Sequence, residues 1–505
     1  MQRTERYFRS IITGYGATII TSLCILASVP LALSFISTAS FAVWGLIVQV
    51  SGYLLLGDLG VSSAVGRLLM EHLQSRPSTQ YGQIFFAGLI SFMGQAVVVF
   101  IIGVGFAFFG PTILDIPADI RSDFTRLMIC QTSIISVFFP LKTVTYAFVA
   151  QGRYEWINIS TALGSFASLL VLLVGLTSGL GLSAYIVASL AESVLICFIQ
   201  IVMASKSGLL PKKREYFFPA KKQILAVWEI GWDIFLVGLG NRLLYTSQSF
   251  LLARFASLDS VAAWIIGSKL FYFGREMLSK AAFMAGPPLM SLYVEGLTAM
   301  AELRLAQISK VLGYCAAIFG GLLIIGNSLF VELWSAGKVC WPSSSNTALA
   351  GILVCNAFCF SLIHLFGMEL RFKELRYIAH LEAAFFILSS CFLVPRFGLP
   401  IIAPLMFFSN LTFSMPYLIY SYFRFCRERH LSRNLGLPLL VRLLLLLCFS
   451  CFYTFLFSWF HFSFFGIVSG IFLLLIGFYF VFIDLRKELF FLKNLFLLKL
   501  QGAHR

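Results

Sequence analysis

Long apolar runs recur along the whole chain and constrain its fold more than any other feature of the sequence. Each run holds roughly twenty residues or more, the length at which a helix crosses the ~30 Å hydrocarbon core of a bilayer. The runs cover approximately residues 11–36, 41–66, 84–110, 124–150, 156–178, 182–204, 224–254, 259–290, 305–331, 346–370, 376–394, 398–423, 437–460 and 462–484. Membrane-crossing strands would instead be short alternating segments. The sequence therefore predicts an all-α integral membrane protein with about fourteen transmembrane helices, called spans 1 to 14 here.

Composition supports the bilayer as the solvent of this chain. Apolar residues make up 59% and charged residues only 12%, against roughly 25% charged residues in soluble domains. The net charge of +15 would suit a nucleic-acid partner, but the basic residues lie mostly in short loops between apolar runs, where membrane topology explains them. We therefore expect no nucleic-acid binding.

The basic residues also predict the orientation of the chain. Most of the 37 Lys and Arg residues lie in the N-terminal segment or in segments that follow an even number of spans, which are on the same side of the membrane as the N-terminus. Segments on the opposite side carry only Arg121, Arg126, Arg254, Lys338 and Arg396. By the positive-inside rule, both termini are predicted to be cytoplasmic.

The chain divides into four predicted parts. Residues 1–204 form an N-terminal six-helix lobe, and residues 205–223, with Lys212, Lys213, Pro211 and Pro219, form a basic cytoplasmic linker. Residues 224–423 form a second six-helix lobe, and residues 424–505 hold an extra helix pair and a cytoplasmic tail. The five-residue sequence Ser-x-Ala-x-Trp occurs at the beginning of span 2, as 40–44, and at the beginning of span 8, as 260–264. This match, six helices apart, predicts an internal repeat of the parallel kind used by transporters.

Span 2 is the most informative stretch. It contains Val43-Trp44-Gly45, then Ser51-Gly52-Tyr53, and then Gly57-Asp58-Leu59-Gly60, with Arg67 directly after it. A carboxylate within an apolar run is costly in a membrane, so Asp58 is expected to face protein or a watery cavity. The glycines allow close approach of another backbone or of a ligand.

This stretch resembles the second helix of the oligosaccharide-lipid (O-antigen type) flippases of bacterial polysaccharide export. They belong to the multidrug/oligosaccharidyl-lipid/polysaccharide exporter superfamily, and their second helix has an aromatic-Gly start, then Gly-Tyr, then Asp-Leu-Gly and a basic residue. Beyond span 2 the resemblance is architectural. It implies two six-helix lobes around a central cleft lined mainly by spans 1, 2, 7 and 8, in the bacterial inner membrane. It implies a polyprenyl-diphosphate-linked oligosaccharide as substrate, with membrane lipids and a polysaccharide polymerase and ligase as partners.

Charged residues within the spans concentrate on spans 2, 7 and 8. In span 8, Lys269 and Lys280 lie on one helical face with Glu276, and Arg275 points about 120° away. Arginine grips phosphate bidentately and lysine acts as a point charge. The residues predicted to bind the diphosphate are Arg242, Lys269, Arg275, Lys280 and Arg67.

Structural roles remain open for each of these residues. Lys280 has Asp233 or Glu276 as a candidate partner, and Arg67 has the alternative of a positive-inside anchor. Asp58 and Asp233 are predicted to be structural or ion-coupling. Lys142, beside Pro140 in span 4, is interpreted either as half of a charge pair in a kinked helix or as functional.

No nucleotide-binding or hydrolase motif occurs in the sequence. We therefore expect a transporter that is not an enzyme and has no cofactor, driven by an ion or membrane potential or by the substrate gradient. If a cation is coupled to transport, the sequence does not identify it. The alternatives are a cation-coupled drug exporter of the same superfamily and a membrane polysaccharide polymerase or glycosyltransferase. The segments assigned to the outside, the longest near 111–123 and 331–345, are short for the last of these.

Overall fold

The computed structural model describes residues 2–72, 79–212, 238–294, 298–369 and 372–428, with residues 215, 219, 224, 235 and 236 between them. Helices and turns account for these residues, and no strand occurs among them. The helices of the N-terminal half are α1 (Gln2–Phe35), α2 (Thr38–Leu54), α3 (Val61–His72), α4 (Thr79–Ile113), α5 (Ala118–Phe138), α6 (Lys142–Gln151), α7 (Tyr154–Thr177) and α8 (Ser183–Lys206). Those that follow are α9 (Gln248–Phe255), α10 (Leu258–Gly267), α11 (Lys269–Val294), α12 (Thr298–Trp334), α13 (Ser343–Glu369), α14 (Phe372–Phe397), α15 (Ile402–Ser409) and α16 (Met415–Glu428). Residues 238–246 are also helical.

Ten helical segments of the described residues are long and apolar enough to cross a membrane. They run over Ile12–Phe35, Thr38–Asp58, Thr79–Ile113, Ala118–Gln151, Tyr154–Thr177, Ser183–Lys206, Leu303–Trp334, Ser343–Leu362, Leu375–Phe397 and Leu399–Ser421. These segments match predicted spans 1–6 and 9–12, so the all-helical, multi-pass membrane architecture is confirmed. Span 7 is described at residues 224, 235 and 236 and continuously from residue 238, and spans 13 and 14 lie outside the described residues.

Spans 2, 4 and 8 are each interrupted beside a charged residue. Span 2 ends its α-helix at Leu54 and passes through a 3-10 turn, Leu55–Asp58. Span 4 has a 3-10 turn over Phe139–Leu141, where Pro140 lacks the amide hydrogen that a continuing helix needs. Span 8 separates into α10 and α11 around Ser268. A charged residue lies at each interruption: Asp58 ends the 3-10 turn of span 2, Lys142 begins α6 in span 4, and Lys269 begins α11 in span 8.

The chain forms two compact units, which divide between Ala262 and Ala263. In the first unit, span 2 packs on spans 3 and 4, span 3 on span 4, span 4 on span 6, and span 5 on span 6. The second unit repeats this pattern: span 8 packs on spans 9 and 10, span 9 on span 10, span 10 on span 12, and span 11 on span 12. The residues from 238 to Ala262 belong to the first unit. The predicted lobe boundary within 205–223 stays a prediction, because much of that segment lies outside the described residues.

The capping of α2 and α10 supports the internal repeat. Ser37 precedes α2, and its hydroxyl accepts a hydrogen bond from the amide of Ser40 at 3.1 Å. Ser257 precedes α10 and accepts from the amide of Ser260 at 3.2 Å. A serine at this position satisfies a backbone donor that the first helical turn leaves without a partner. A serine N-cap therefore precedes both copies of the Ser-x-Ala-x-Trp sequence.

Small residues bring two helices of the first unit, α7 and α8, close together. A side chain at Gly175 would lie 2.8 Å from the Cβ atom of Ala184, and one at Gly164 would lie 2.7 Å from Ile196. The hydrophobic effect does not drive helix association in lipid, so close van der Waals packing replaces it. These glycines therefore set the contact between α7 and α8.

The beginning of the predicted linker lies against the first unit. The hydroxyl of Tyr81 donates to the carbonyl of Leu209 at 2.8 Å, and Arg153 donates to the hydroxyl of Ser207 at 2.7 Å. A Cβ atom at Gly82 would stand only 1.7 Å from the carbonyl oxygen of Glu215. These contacts attach the chain after α8 to the start of α4 and to the turn between α6 and α7.

Candidate functional site

The break in span 2 is built by the sequence Asp58-Leu59-Gly60. Leu59 and Gly60 both have positive φ, 49° and 77°, and a leucine in this region costs roughly 1–2 kcal/mol. The Asp58 carboxylate accepts a hydrogen bond from the amide of Gly60 at 2.8 Å, and Gln95 donates to the Asp58 carbonyl at 2.8 Å. An aspartate that bonds the backbone two residues later favours a turn over a helix. The Asp-Leu-Gly sequence is therefore the local cause of the break.

Asp58 forms an ion pair with Lys142. The Lys142 Nζ atom lies 3.2 Å from Asp58 Oδ2, and each side chain is only 23% exposed. Nζ also lies 3.5 Å from the carbonyl oxygen of Leu55 and 4.2 Å from the centre of the Phe139 ring. A carbonyl oxygen and the negative face of an aromatic ring both favour the ammonium. The pair joins the break in span 2 to the break in span 4.

The Gly-Tyr sequence of span 2 contacts span 7. The guanidinium of Arg242 packs on Gly52, with its Cζ and one nitrogen 3.7 Å from the position that a Cβ atom would take. The Tyr53 hydroxyl donates to the Arg242 carbonyl at 3.2 Å. One helical turn earlier on α2, Gln49 donates to the hydroxyl of Ser249 at 2.6 Å. The two spans therefore run antiparallel, with a basic side chain against the glycine.

Two further contacts join turns and helix ends of the first unit. The hydroxyl of Thr38 donates to Asp259 at 3.0 Å, which joins the beginnings of α2 and α10. Arg254 lies 3.5 Å from the carboxylate of Asp115, in the turn between α4 and α5. Both pairs lie among exposed residues, where an ion pair or a hydrogen bond contributes little to stability.

The basic residues predicted on span 8 lie along α11 in the second unit. Lys269 is half-buried at the start of the helix, and the Arg275 guanidinium lies 5.5 Å from the centre of the Phe360 ring. Lys280 lies 3.5 Å from Glu276, one helical turn earlier. This is the structural pair that the sequence offered for Lys280.

The other predicted site residues have different surroundings. Arg67 is exposed on α3 and pairs with Glu71 at 3.2 Å, an arrangement that fits an anchor at the end of span 2. Asp233 lies outside the described residues. Arg242 belongs to the first unit, while Lys269, Arg275 and Lys280 belong to the second. Their convergence on one diphosphate stays a prediction.

An asparagine network supports the break in span 8. Asn327 donates to the carbonyl of Gly267 at 2.9 Å and to Asn346 at 2.8 Å. The indole of Trp341 donates to the same oxygen of Asn346 at 2.7 Å, and its ring covers Gly267 so closely that a Cβ atom there would lie 1.9 Å from it. The carbonyl that the break releases thus has a partner, and no larger residue fits at this position.

Two carboxylates within the spans, Glu382 in span 11 and Glu192 in span 6, were not named as site residues from the sequence. Glu382 in α14 is 2% exposed; Asn410 donates to it at 2.9 Å, and Ser414 hydrogen-bonds to it. Asn410–Ser414 forms a π-helical turn, a feature often found at functional sites. In the first unit, Ser165 donates to Glu192 at 3.1 Å. The signal was present, because each glutamate interrupts an apolar run just as Asp58 does.

Comparison with known proteins identifies the fold. No protein-family model matches the sequence, and no curated protein is significantly similar to it. Among solved structures, the lipid II flippase MurJ in an inward closed conformation matches with a TM-score of 0.68 at 10% identity, over 94% of this chain and 99% of that chain. An inward-facing multidrug resistance MATE family transporter of the MOP superfamily matches at 0.62 and 12% identity, over 83% of this chain and 99% of that one.

A third solved structure has the same fold. A MOP superfamily transporter from Pyrococcus furiosus, described as having a binding pocket of reversed polarity, matches with a TM-score of 0.63 at 11% identity, over 83% of this chain and 95% of that chain. At these identities the likeness shows the fold alone. The chain is a multi-pass membrane protein with the fold shared by MATE and MurJ transporters.

Proposed function

We propose that this protein is a transporter that turns a polyprenyl-diphosphate-linked oligosaccharide from the inner to the outer leaflet of the bacterial inner membrane by alternating access. Polysaccharide or lipopolysaccharide assembly would use the product, with a polymerase and a ligase acting after it. Both termini would be cytoplasmic. The proposal rests chiefly on one observation, the Arg242 guanidinium held against Gly52 where spans 2 and 7 meet.

Charge within the spans supports an anionic substrate. Span 8 has three basic residues on α11, Lys269, Arg275 and Lys280, against one carboxylate, Glu276. Basic groups are expensive in hydrocarbon, and those that persist there commonly mark a path for a substrate or an ion. Arg242 adds a guanidinium in span 7, and a guanidinium matches the oxygens of a diphosphate in a bidentate manner. The fold likeness to a lipid II flippase over 94% of this chain supports a lipid-linked substrate.

A cation-coupled small-molecule exporter is the second candidate. The fold likeness to multidrug transporters and the buried carboxylate Glu382 favour it. An exporter of cationic compounds would need acidic groups in its substrate path, whereas the charged groups of spans 7 and 8 among the described residues are mostly basic. Removal of a basic residue from spans 7 and 8 should therefore weaken transport of an anionic lipid-linked substrate, whereas it should not weaken transport of a cationic compound.

Deletion of the gene in its native host tests the proposal. If the protein flips a lipid-linked oligosaccharide, we expect the intermediate to accumulate with its sugar facing the cytoplasm. Accumulation of single repeat units on the outer face would indicate a polymerase instead. Unchanged polysaccharide together with increased sensitivity to toxic cations would support the drug exporter and contradict the proposal.

A further inference from the structure

We infer that Gly52 and Tyr53 are positioning residues that set where the Arg242 guanidinium meets the diphosphate of the substrate. This inference rests on the proposed function and assigns a specific task to the Gly-Tyr sequence of span 2. Neither residue would contact the substrate. Each would act through Arg242.

Three contacts set the register between span 2 and span 7. Gly52 and Tyr53 lie three and four residues after Gln49, so both are its neighbours on one face of α2. Their partners are Ser249, the Arg242 guanidinium and the Arg242 carbonyl, respectively. The Tyr53 ring also lies 5.6 Å from that of Phe250. A slip of one residue would break these hydrogen bonds and move the arginine away from the glycine.

The hydroxyl of Tyr53 bonds to the backbone of Arg242, and Gly52 lies beside its side chain. Arginine has many rotamers, and ordering such a side chain costs up to about 2 kcal/mol. Three guanidinium atoms lie 3.7–3.9 Å from the position that a Cβ atom would take at Gly52, and this close packing restricts those rotamers before substrate arrives. Preorganisation of this kind raises affinity by reducing the cost of binding.

The distance at Gly52 makes a graded prediction. An alanine Cβ atom would lie 3.7 Å from the guanidinium, an ordinary van der Waals contact, so Gly52→Ala should leave the arginine in place. Valine adds two methyl groups to that Cβ atom, and its stiff side chain in a helix cannot turn both of them away. Gly52→Val should therefore displace the guanidinium.

Binding of farnesyl diphosphate to the purified full-length protein in detergent tests the inference, with farnesol as the ligand that lacks the diphosphate. We expect Arg242→Ala and Gly52→Val each to weaken diphosphate binding roughly tenfold or more, as loss of a charge-assisted hydrogen bond does. Gly52→Ala should stay within about twofold of the wild type, and farnesol binding should not change. Gly94→Val is the matched control, because nothing lies within 4 Å of a Cβ atom at Gly94.

The double variant Gly52→Val with Arg242→Ala separates positioning from general damage. Removal of the arginine leaves room for the valine, so the double variant should fold and bind as weakly as Arg242→Ala alone. If Gly52→Val lowers affinity by the same factor in both backgrounds, or binds like the wild type while Arg242→Ala is impaired, the positioning role is wrong. If Arg242→Ala itself binds farnesyl diphosphate normally, the diphosphate role of Arg242 fails, and the positioning role fails with it.

Discussion

Neutralisation of Asp58 should destabilise the protein, and simultaneous neutralisation of Lys142 should restore it. Asp58→Asn keeps an oxygen for the amide of Gly60, so the change removes the charge and little else. Loss of one partner of a fully buried ion pair costs about 3–5 kcal/mol. Here both side chains are 23% exposed. The Leu55 carbonyl and the Phe139 ring also still face the ammonium, and the ring contributes about 0.5–1 kcal/mol. We therefore expect a loss of about 2 kcal/mol, below the fully buried range.

The amount of folded protein in the membrane measures this effect, for example by fluorescence-detected size-exclusion chromatography of a tagged chain. A loss of this size typically lowers abundance several-fold. The variant Asp58→Asn with Lys142→Met should recover most of it, because no charge is then left without its partner. Arg67→Gln is the control; it removes an exposed pair with Glu71 and should cost less than about 0.5 kcal/mol. If the double variant is as unstable as the sum of the single variants, the pair is not the source of stability.

Three further predictions follow from the topology and from the second unit. A reporter fused after Lys213 should read cytoplasmic and one fused after Ser257 external; alkaline phosphatase activity at the first position would contradict the orientation. Gly267→Ala should lower the amount of folded protein strongly, because the new Cβ atom meets the indole of Trp341, and Trp341→Ala in the same chain should relieve part of the loss; equal losses with and without Trp341 would refute the close contact. Glu382→Gln should preserve folding, because an amide can still bond to its buried partners, but should change any dependence of transport on the coupling ion; the same ion dependence in both proteins would exclude a coupling role.

Apolar runs predicted the helices because their length reports directly on the thickness of the bilayer. Spans 1–6 and 9–12 follow from this argument alone, and all ten occur among the described residues. The predicted repeat agrees with the serine caps before α2 and α10, since the same hydrogen bond begins the helices that contain Trp44 and Trp264. Hydropathy averages over many residues, however, so it did not reveal the breaks at Leu59 and Ser268.

Pairing between distant side chains could not be predicted in the same way. Asp58 and Lys142 are 84 residues apart, and several basic residues were equally available to the aspartate on sequence grounds. The packing of span 2 on span 4 decides between them. Gly52 presented the opposite difficulty, since the sequence indicated close approach but gave no means of naming Arg242 as the group that approaches.

Direct observation of flipping by the purified protein tests the central proposal. The protein would be reconstituted in lipid vesicles with a fluorescent polyprenyl-diphosphate-linked oligosaccharide, and the label in each leaflet would be followed by a quencher added outside. We expect the inner-leaflet probe to become accessible in vesicles that contain the protein and to stay protected in empty vesicles, with a slower rate for Arg242→Ala. Equal protection of the probe with and without folded protein, in either direction of an imposed ion gradient, would contradict the proposed function.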